Sequence, residues 1–203
     1  MTRTARALIV FPAFAAALAF GGCEGAAPQA TYHARDIAGV MPPLQFTLTS
    51  GSDPTVTAAD YRGKTVLVFF GYTHCPDVCP TTLANLGQVL KQLGPTADSV
   101  RVLFVSVDPG RDTPKALENY AKAFAPQIIG LTGSDAQLTD VAKRYRVAYR
   151  REKPDANGDY AVYHSSAVFI FDDKGNARLL ATGAESVPEL TQDLRTLMAH
   201  PLG

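Results

Sequence analysis

Between Lys64 and Phe70 the chain reads KTVLVFF, an apolar run that offers no alternating polar face. Such a run belongs on a strand covered on both sides, the inner position of a sheet with helices packed against it. Arg101 to Val107 repeats the pattern. The segment between them predicts a helix that starts inside GYTHCPDVCP and stops near Gly94, whose φ freedom suits a helix end. Downstream the alternation continues. Thr113 before Pro114 opens a second helix, with a cap oxygen followed by proline at the first helical position. Ile128 to Leu131 is a short strand, and Ser134 with Gln137 is a capping box for a helix reaching about Tyr145. Ala167 to Phe171 and Arg178 to Thr182 flank the turn DDKGN as a hairpin, and Ser186 with Glu189 caps a last helix. With Leu44 to Leu48 as an early strand, the chain is an α/β domain with a mixed sheet flanked by helices.

At 203 residues the chain holds one such domain plus extras. Its formal net charge of zero excludes a nucleic-acid partner, which needs a basic footprint to displace counterions. Three cysteines are too few for a disulfide scaffold. Arg3 and Arg6 precede a charge-free apolar stretch from Ala7 to Phe20, followed by Gly21, Gly22 and Cys23. This pattern is an export signal, and small residues before a cysteine match a lipoprotein signal. A retained anchor is the competing reading, although the stretch is shorter than the roughly 20 residues of a spanning helix. The expected organisation is therefore 1–22 export signal or membrane anchor, 23–37 flexible tether, and 38–203 folded domain. The expected location is the periplasmic side of the inner membrane, held by lipid on Cys23 or by the anchor.

With Cys23 removed from the count, Cys75 and Cys79 are the thiols of the folded body. A buried strand that ends at a dithiol at a helix N-terminus, followed by a βαβ unit, is the layout of a thioredoxin-like fold. Residues i and i+4 share a helix face, and the helix dipole favours thiolate. A structural disulfide across so short a loop stabilises little. Thiol–disulfide oxidoreductases of this fold usually place two residues between the cysteines; here there are three. A peroxidase needs a threonine at a set distance before its cysteine, and Thr73 does not match. Two thiolates also suit a soft ion, and a third ligand must then come from elsewhere. His33 falls in the tether and His200 in the tail, both solvated, while His74 points away from the thiols. His164, just before a buried strand, completes an S₂N set with Cys75 and Cys79. Three ligands favour copper that is held and passed on, since structural zinc wants four.

VLVFFGYTHCPDVCPTTL, then SVDPGRDTP from Ser106 to Pro114, then His164 before a strand, resemble the SCO/SenC family of copper-binding thioredoxin-like proteins. The likeness runs from about Ala38 to the C-terminus. It implies a membrane-tethered domain binding Cu(I) or Cu(II) through Cys75, Cys79 and His164, and a metallochaperone that serves the binuclear copper centre of cytochrome c oxidase. The implied partners are the copper-centre subunit of that oxidase and another copper chaperone. Thiol–disulfide reduction of the recipient by the pair Cys75 and Cys79 is the alternative activity. Asp77 resembles a residue that aids partner docking. Many members carry aspartate immediately before the histidine; this chain has Tyr163, which bears on whether a carboxylate orients His164. Asp108, Arg111 and Asp112 read as loop residues that cap and pair. The insert Glu152 to Tyr160 reads as an exposed hairpin beside the site, with a role in partner contact.

Overall fold

The computed structural model describes residues 30–183 and 185–199, so the expected export segment 1–22, Cys23 and His200 lie outside the described residues. In chain order the strands are β1 (Arg35–Asp36), β2 (Thr47–Ser50), β3 (Val56–Thr57), β4 (Thr65–Gly71), β5 (Val100–Ser106), β6 (Ile128–Thr132), β7 (Tyr149–Arg151), β8 (Val162–His164), β9 (Val168–Phe171) and β10 (Ala177–Ala181). The helices are α1 (Val78–Leu93), α2 (Pro114–Lys122), α3 (Asp135–Arg144) and α4 (Val187–Ala199). Eight strands form one mixed sheet in the order β1-β10-β9-β4-β5-β6-β2-β3, and β7 pairs with β8 in a separate small sheet. Strands β4, β5 and β6 run parallel, and β9 returns antiparallel beside β4. This is the expected thioredoxin-like α/β fold with a hairpin insertion. Among the described residues no helix is long and apolar enough to cross a membrane.

All seven residues of β4 are buried, as its unbroken apolar run requires. Phe69 and Phe104 stack at 5.9 Å on one face, and Phe104 meets Tyr120 of α2 at 5.7 Å. On the other face Phe70 and Phe169 meet edge-on at 6.4 Å, and Tyr145, just past α3, packs on Phe169 and Phe171. Each such side chain contributes about 1.5–3 kcal/mol by leaving water. Helix α1 buries Leu83, Leu86, Leu90 and Leu93, the i, i+3, i+7, i+10 stripe of an amphipathic helix, and packs against α4.

The helix starts follow their sequence signals. The Thr113 side chain accepts from the Ala116 N–H, and Ser134 and Gln137 exchange both bonds of a capping box. Ser186 and Glu189 do the same before α4. Helix α1 ends at Gly94 with φ 62°, the left-handed conformation glycine adopts at no steric cost. The early strand lies at Thr47–Ser50 rather than Leu44–Leu48, because Leu44 and Phe46 turn into the core and the Gln45 N–H donates to the Tyr145 hydroxyl, while the ladder to β6 begins at Thr49.

The described part of the expected tether is docked to the body. Ala34 and Ile37 are buried, and β1 pairs with β10 through Arg35↔Leu180 and Asp36↔Leu179. His33 is likewise held rather than solvated. Its backbone N–H and that of Ala34 donate to the carboxylate of Asp193, at 3.0 and 2.7 Å, and its ring Nδ1 lies 2.9 Å from Asp193 Oδ1. Asp193 is 1% exposed on α4, so the segment is fastened where water cannot compete. A single buried carboxylate, invisible in a composition reading, thus brings residues 33–37 into the folded body.

The bond to Asp193 raises the His33 pKa above its ordinary 6.5. The charged pair therefore stabilises the fold fully below pH 6.5, and its contribution fades as pH rises through the higher folded value. Asp193→Ala should lower the unfolding free energy by about 1–3 kcal/mol by orphaning buried N–H donors. It should also flatten the pH dependence of the denaturation midpoint above pH 6.5; an unchanged midpoint would refute the clamp.

Candidate metal centre

Strand β4 delivers the chain to a turn at its C-terminal end, where the Cys75 N–H donates to the Tyr72 carbonyl at 3.3 Å. Helix α1 begins at Val78, after Asp77 at the cap. Cys75 therefore lies in the turn and only Cys79 lies on the helix, so the two do not share a helical face as the spacing predicted. The turn folds back instead, and the Cys79 N–H at the helix start donates to Cys75 Sγ at 3.4 Å. Pro80 costs no ladder bond there, because the first N–H groups of a helix lack intrahelical acceptors.

The cysteines differ in environment. Cys75 is half-buried and Cys79 is fully buried, and both are free thiols. Burial pushes the Cys79 thiol well up, offset only in part by a backbone hydrogen bond from Tyr72. The helix N-terminus was expected to favour thiolate at both positions; at Cys79 desolvation outweighs it. A signal for this was present: Cys79, Leu83, Leu86 and Leu90 follow i, i+4, i+7, i+11, which puts the thiol on the apolar stripe of α1.

Gly71 makes room for that sulfur. A Cβ at Gly71 would sit 2.7 Å from Cys79 Sγ and 2.7 Å from Phe104 Cε2, so the last residue of β4 must lack a side chain.

His164 closes the third side. It ends β8, where it pairs with Tyr149 of β7, and its Nε2 lies 3.2 Å from Cys79 Sγ. Its Nδ1 is 2.9 Å from the carbonyl of Ser165, a bond that needs the proton on Nδ1 and leaves the Nε2 lone pair facing the sulfurs. The chain's own backbone thus orients the ring. Tyr163 turns outward, 55% exposed, with the Arg150 guanidinium 4.8 Å above its ring. Phe69 and Tyr72 meet the imidazole edge-on at 6.0 and 5.9 Å. The ligating atoms of Cys75, Cys79 and His164 all lie within 4.8 Å of one another. Two sulfurs and one imidazole nitrogen around a half-open space suit a soft or borderline ion.

The other candidates sort plainly. The His74 ring points away, its Nδ1 3.0 Å from Thr73 Oγ1. Asp77 is exposed, with the Thr81 hydroxyl 3.4 Å from its Oδ1. Asp108 and Asp112 are fully buried. Asp112 accepts from the Thr73 N–H at 2.9 Å, from Thr73 Oγ1 at 2.5 Å and from Ser106 Oγ at 2.6 Å, which braces the turn carrying Cys75. Asp108 pairs with Arg111 Nε at 2.6 Å. The insert forms the tip of the β7–β8 hairpin, exposed from Lys153 to Asp159, with Tyr160 half-buried.

The SCO1/SenC family model matches residues 41–199. The protein SCO2 homolog, mitochondrial, of Bos taurus is 42% identical over 143 residues, 70% of this chain and 54% of its own length. The chain thus spans about half the length of the relatives it matches. Among solved structures, Bradyrhizobium japonicum ScoI with copper bound superposes with a TM-score of 0.69 at 38% identity, covering 75% of this chain and 97% of that one. Apo Sco1 from Thermus thermophilus does so with a TM-score of 0.74 at 35% identity, covering 85% of this chain and 100% of that one.

Gly71→Ala should destabilise the fold by about 1–3 kcal/mol through overpacking against Cys79 and Phe104. It should also speed alkylation of Cys79 in the native state. Equal denaturation midpoints and alkylation rates in variant and parent would show that the glycine is not what admits the sulfur.

Proposed function

This chain belongs to the SCO1/SenC family, and on that premise we propose that it is a copper metallochaperone serving the binuclear copper centre of cytochrome c oxidase. The observation that carries the reading is the convergence of Cys75 and Cys79, at the start of α1, with His164 on the distant β7–β8 hairpin to within 4.8 Å. A structural or purely redox dithiol has no need of an imidazole aimed at it. The copper-bound relative from Bradyrhizobium japonicum supports copper as the cargo.

Two sulfurs match the softness of Cu(I), and the imidazole extends the site to Cu(II). Cys79 and the oriented His164 form the inner wall, while half-buried Cys75 takes the outer position. An S₂N site leaves coordination open, so an acceptor's ligand can attach before the donor's has left. Exposed Asp77 and Val78, between Cys75 and Cys79 in the chain, are the natural contact surface for the acceptor subunit or a donor chaperone. The export pattern at the N-terminus supports a place on the outer face of the cytoplasmic membrane, with Cys23 lipidated or the segment retained as an anchor.

Because burial keeps the Cys79 thiol protonated at neutral pH, copper must displace its proton on entry. Apparent affinity should therefore rise with pH between 6 and 8, by about tenfold per unit for one proton displaced. A competition titration at several pH values reads this directly, and a flat profile would mean that no thiol proton is released.

The ligand set is tested by titrating the reduced full chain with copper and following thiolate-to-copper charge transfer. One copper per chain is expected, lost in Cys75→Ala and Cys79→Ala and weakened in His164→Ala. No binding by the unaltered chain would overturn the copper reading. The exposure difference between the two cysteines also suits thiol exchange, with Cys75 meeting the partner and Cys79 resolving. If His164→Ala leaves copper affinity intact while the pair still reduces a partner disulfide, the reductase reading becomes the primary one.

A further inference from the structure

The hairpin that carries His164 is not part of the main sheet. Strands β7 and β8 pair only with each other, so no ladder of the central sheet sets the height of His164 above Cys79. Side chains on the loop after β5 do so instead. Tyr160, four residues before the histidine, donates its hydroxyl to Asp108 Oδ1 at 2.6 Å. The Arg111 guanidinium lies 3.6 Å over the Tyr160 ring while its Nε donates to Asp108 Oδ2 at 2.6 Å. On the other arm, Arg151 Nε donates to the Val107 carbonyl at 2.8 Å. The same loop, through Asp112, braces the turn that carries Cys75. One loop thus grips both halves of the site.

We infer that Tyr160 is a positioning residue for the metal site: clasped between Asp108 and Arg111, it holds the β7–β8 hairpin so that His164 Nε2 stays within reach of the two sulfurs. The assignment rests on the copper reading given above for what His164 does, and on geometry alone for how it is held. Asp108 is fully buried and already paired with Arg111, so the tyrosine hydroxyl docks onto a rigid acceptor. The cation over its ring adds an attraction that needs no further ordering of the arginine. The tip from Lys153 to Asp159 is exposed, so the clasp is the first anchor the returning arm meets before buried Val162. Releasing the clasp frees the imidazole without touching either cysteine, which would ease transfer of copper from a three-ligand to a two-sulfur state.

The test uses the full reduced chain with Tyr160→Phe, which removes only the hydroxyl, and Tyr160→Leu, which removes hydroxyl and aromatic face. Each is made with and without His164→Ala. Amide hydrogen exchange of the metal-free protein should quicken across 150–164 in Tyr160→Leu, less in Tyr160→Phe, and stay unchanged in α1. Copper(I) affinity, measured by competition, should fall about tenfold in Tyr160→Leu, as for other partners that orient a ligand. Neither tyrosine substitution should weaken binding further once His164→Ala is present, because the effect runs through that ring. Unchanged exchange in the hairpin would overturn the inference. So would an equal loss of affinity with and without His164, which marks a general structural role. Should the unaltered chain bind no copper, the proposed function falls while the exchange comparison still decides the clasp; should Tyr160→Leu not fold, Tyr160→Phe carries both measurements.

Discussion

The burial of β4 is the constraint from which the rest of the molecule follows. A strand with no polar face must have hydrogen-bonded neighbours on both edges and packed elements on both faces. Here β5 and β9 supply the edges, α1 and α2 lie toward one face, and Tyr145 with the Phe169 side of β9 covers the other. Once β4 is central, its C-terminal end must emerge at the rim of the sheet. There Gly71 ends the strand, the turn that holds Cys75 begins, and α1 departs with Cys79 on its buried stripe. The site is placed by the same burial that makes the core.

A second consequence concerns charge. Two carboxylates, Asp108 and Asp112, lie fully buried on the loop after β5, and neither joins the group formed by Cys75, Cys79 and His164. Each is consumed by donors: Asp112 by Thr73 and Ser106, Asp108 by Arg111 and Tyr160. A buried acid with satisfied lone pairs is rigid, and loss of a partner is costly. The loop after β5 therefore acts as the frame that relates the cysteine turn to the histidine hairpin. The proposed three-ligand site depends on that relation, because the imidazole completes it only while its Nε2 stays beside Cys79 Sγ.

Much of this was legible in the residues. The two apolar runs became the parallel strands β4 and β5, and the cap signals at Thr113, Ser134 and Ser186 each opened a helix, because capping is a local contest that neighbouring residues decide. The trio Cys75, Cys79 and His164 was also readable, from ligand chemistry and from the resemblance of its flanking motifs. Other features were not. The docking of residues 33–37 depends on Asp193, about 160 positions away, and no local pattern reveals such a pairing. The position of Cys75 off the helix depends on how the turn folds back after Tyr72, and spacing alone favoured a shared helical face.

What the sequence determined by itself is the set of local commitments: which segments are strands, where helices begin, and which side chains have sulfur or imidazole to offer. These follow from hydrophobic period, capping and ligand softness, all of which act over a few residues. The tertiary structure decided the rest. It buried one thiol and left the other half-open, set the imidazole by a backbone carbonyl rather than by an acid, and hung the histidine hairpin on a tyrosine clasp. Desolvation and long-range contact are properties of the packed whole. The same two cysteines that look equivalent in the chain become, in the fold, a buried thiol and a half-open one.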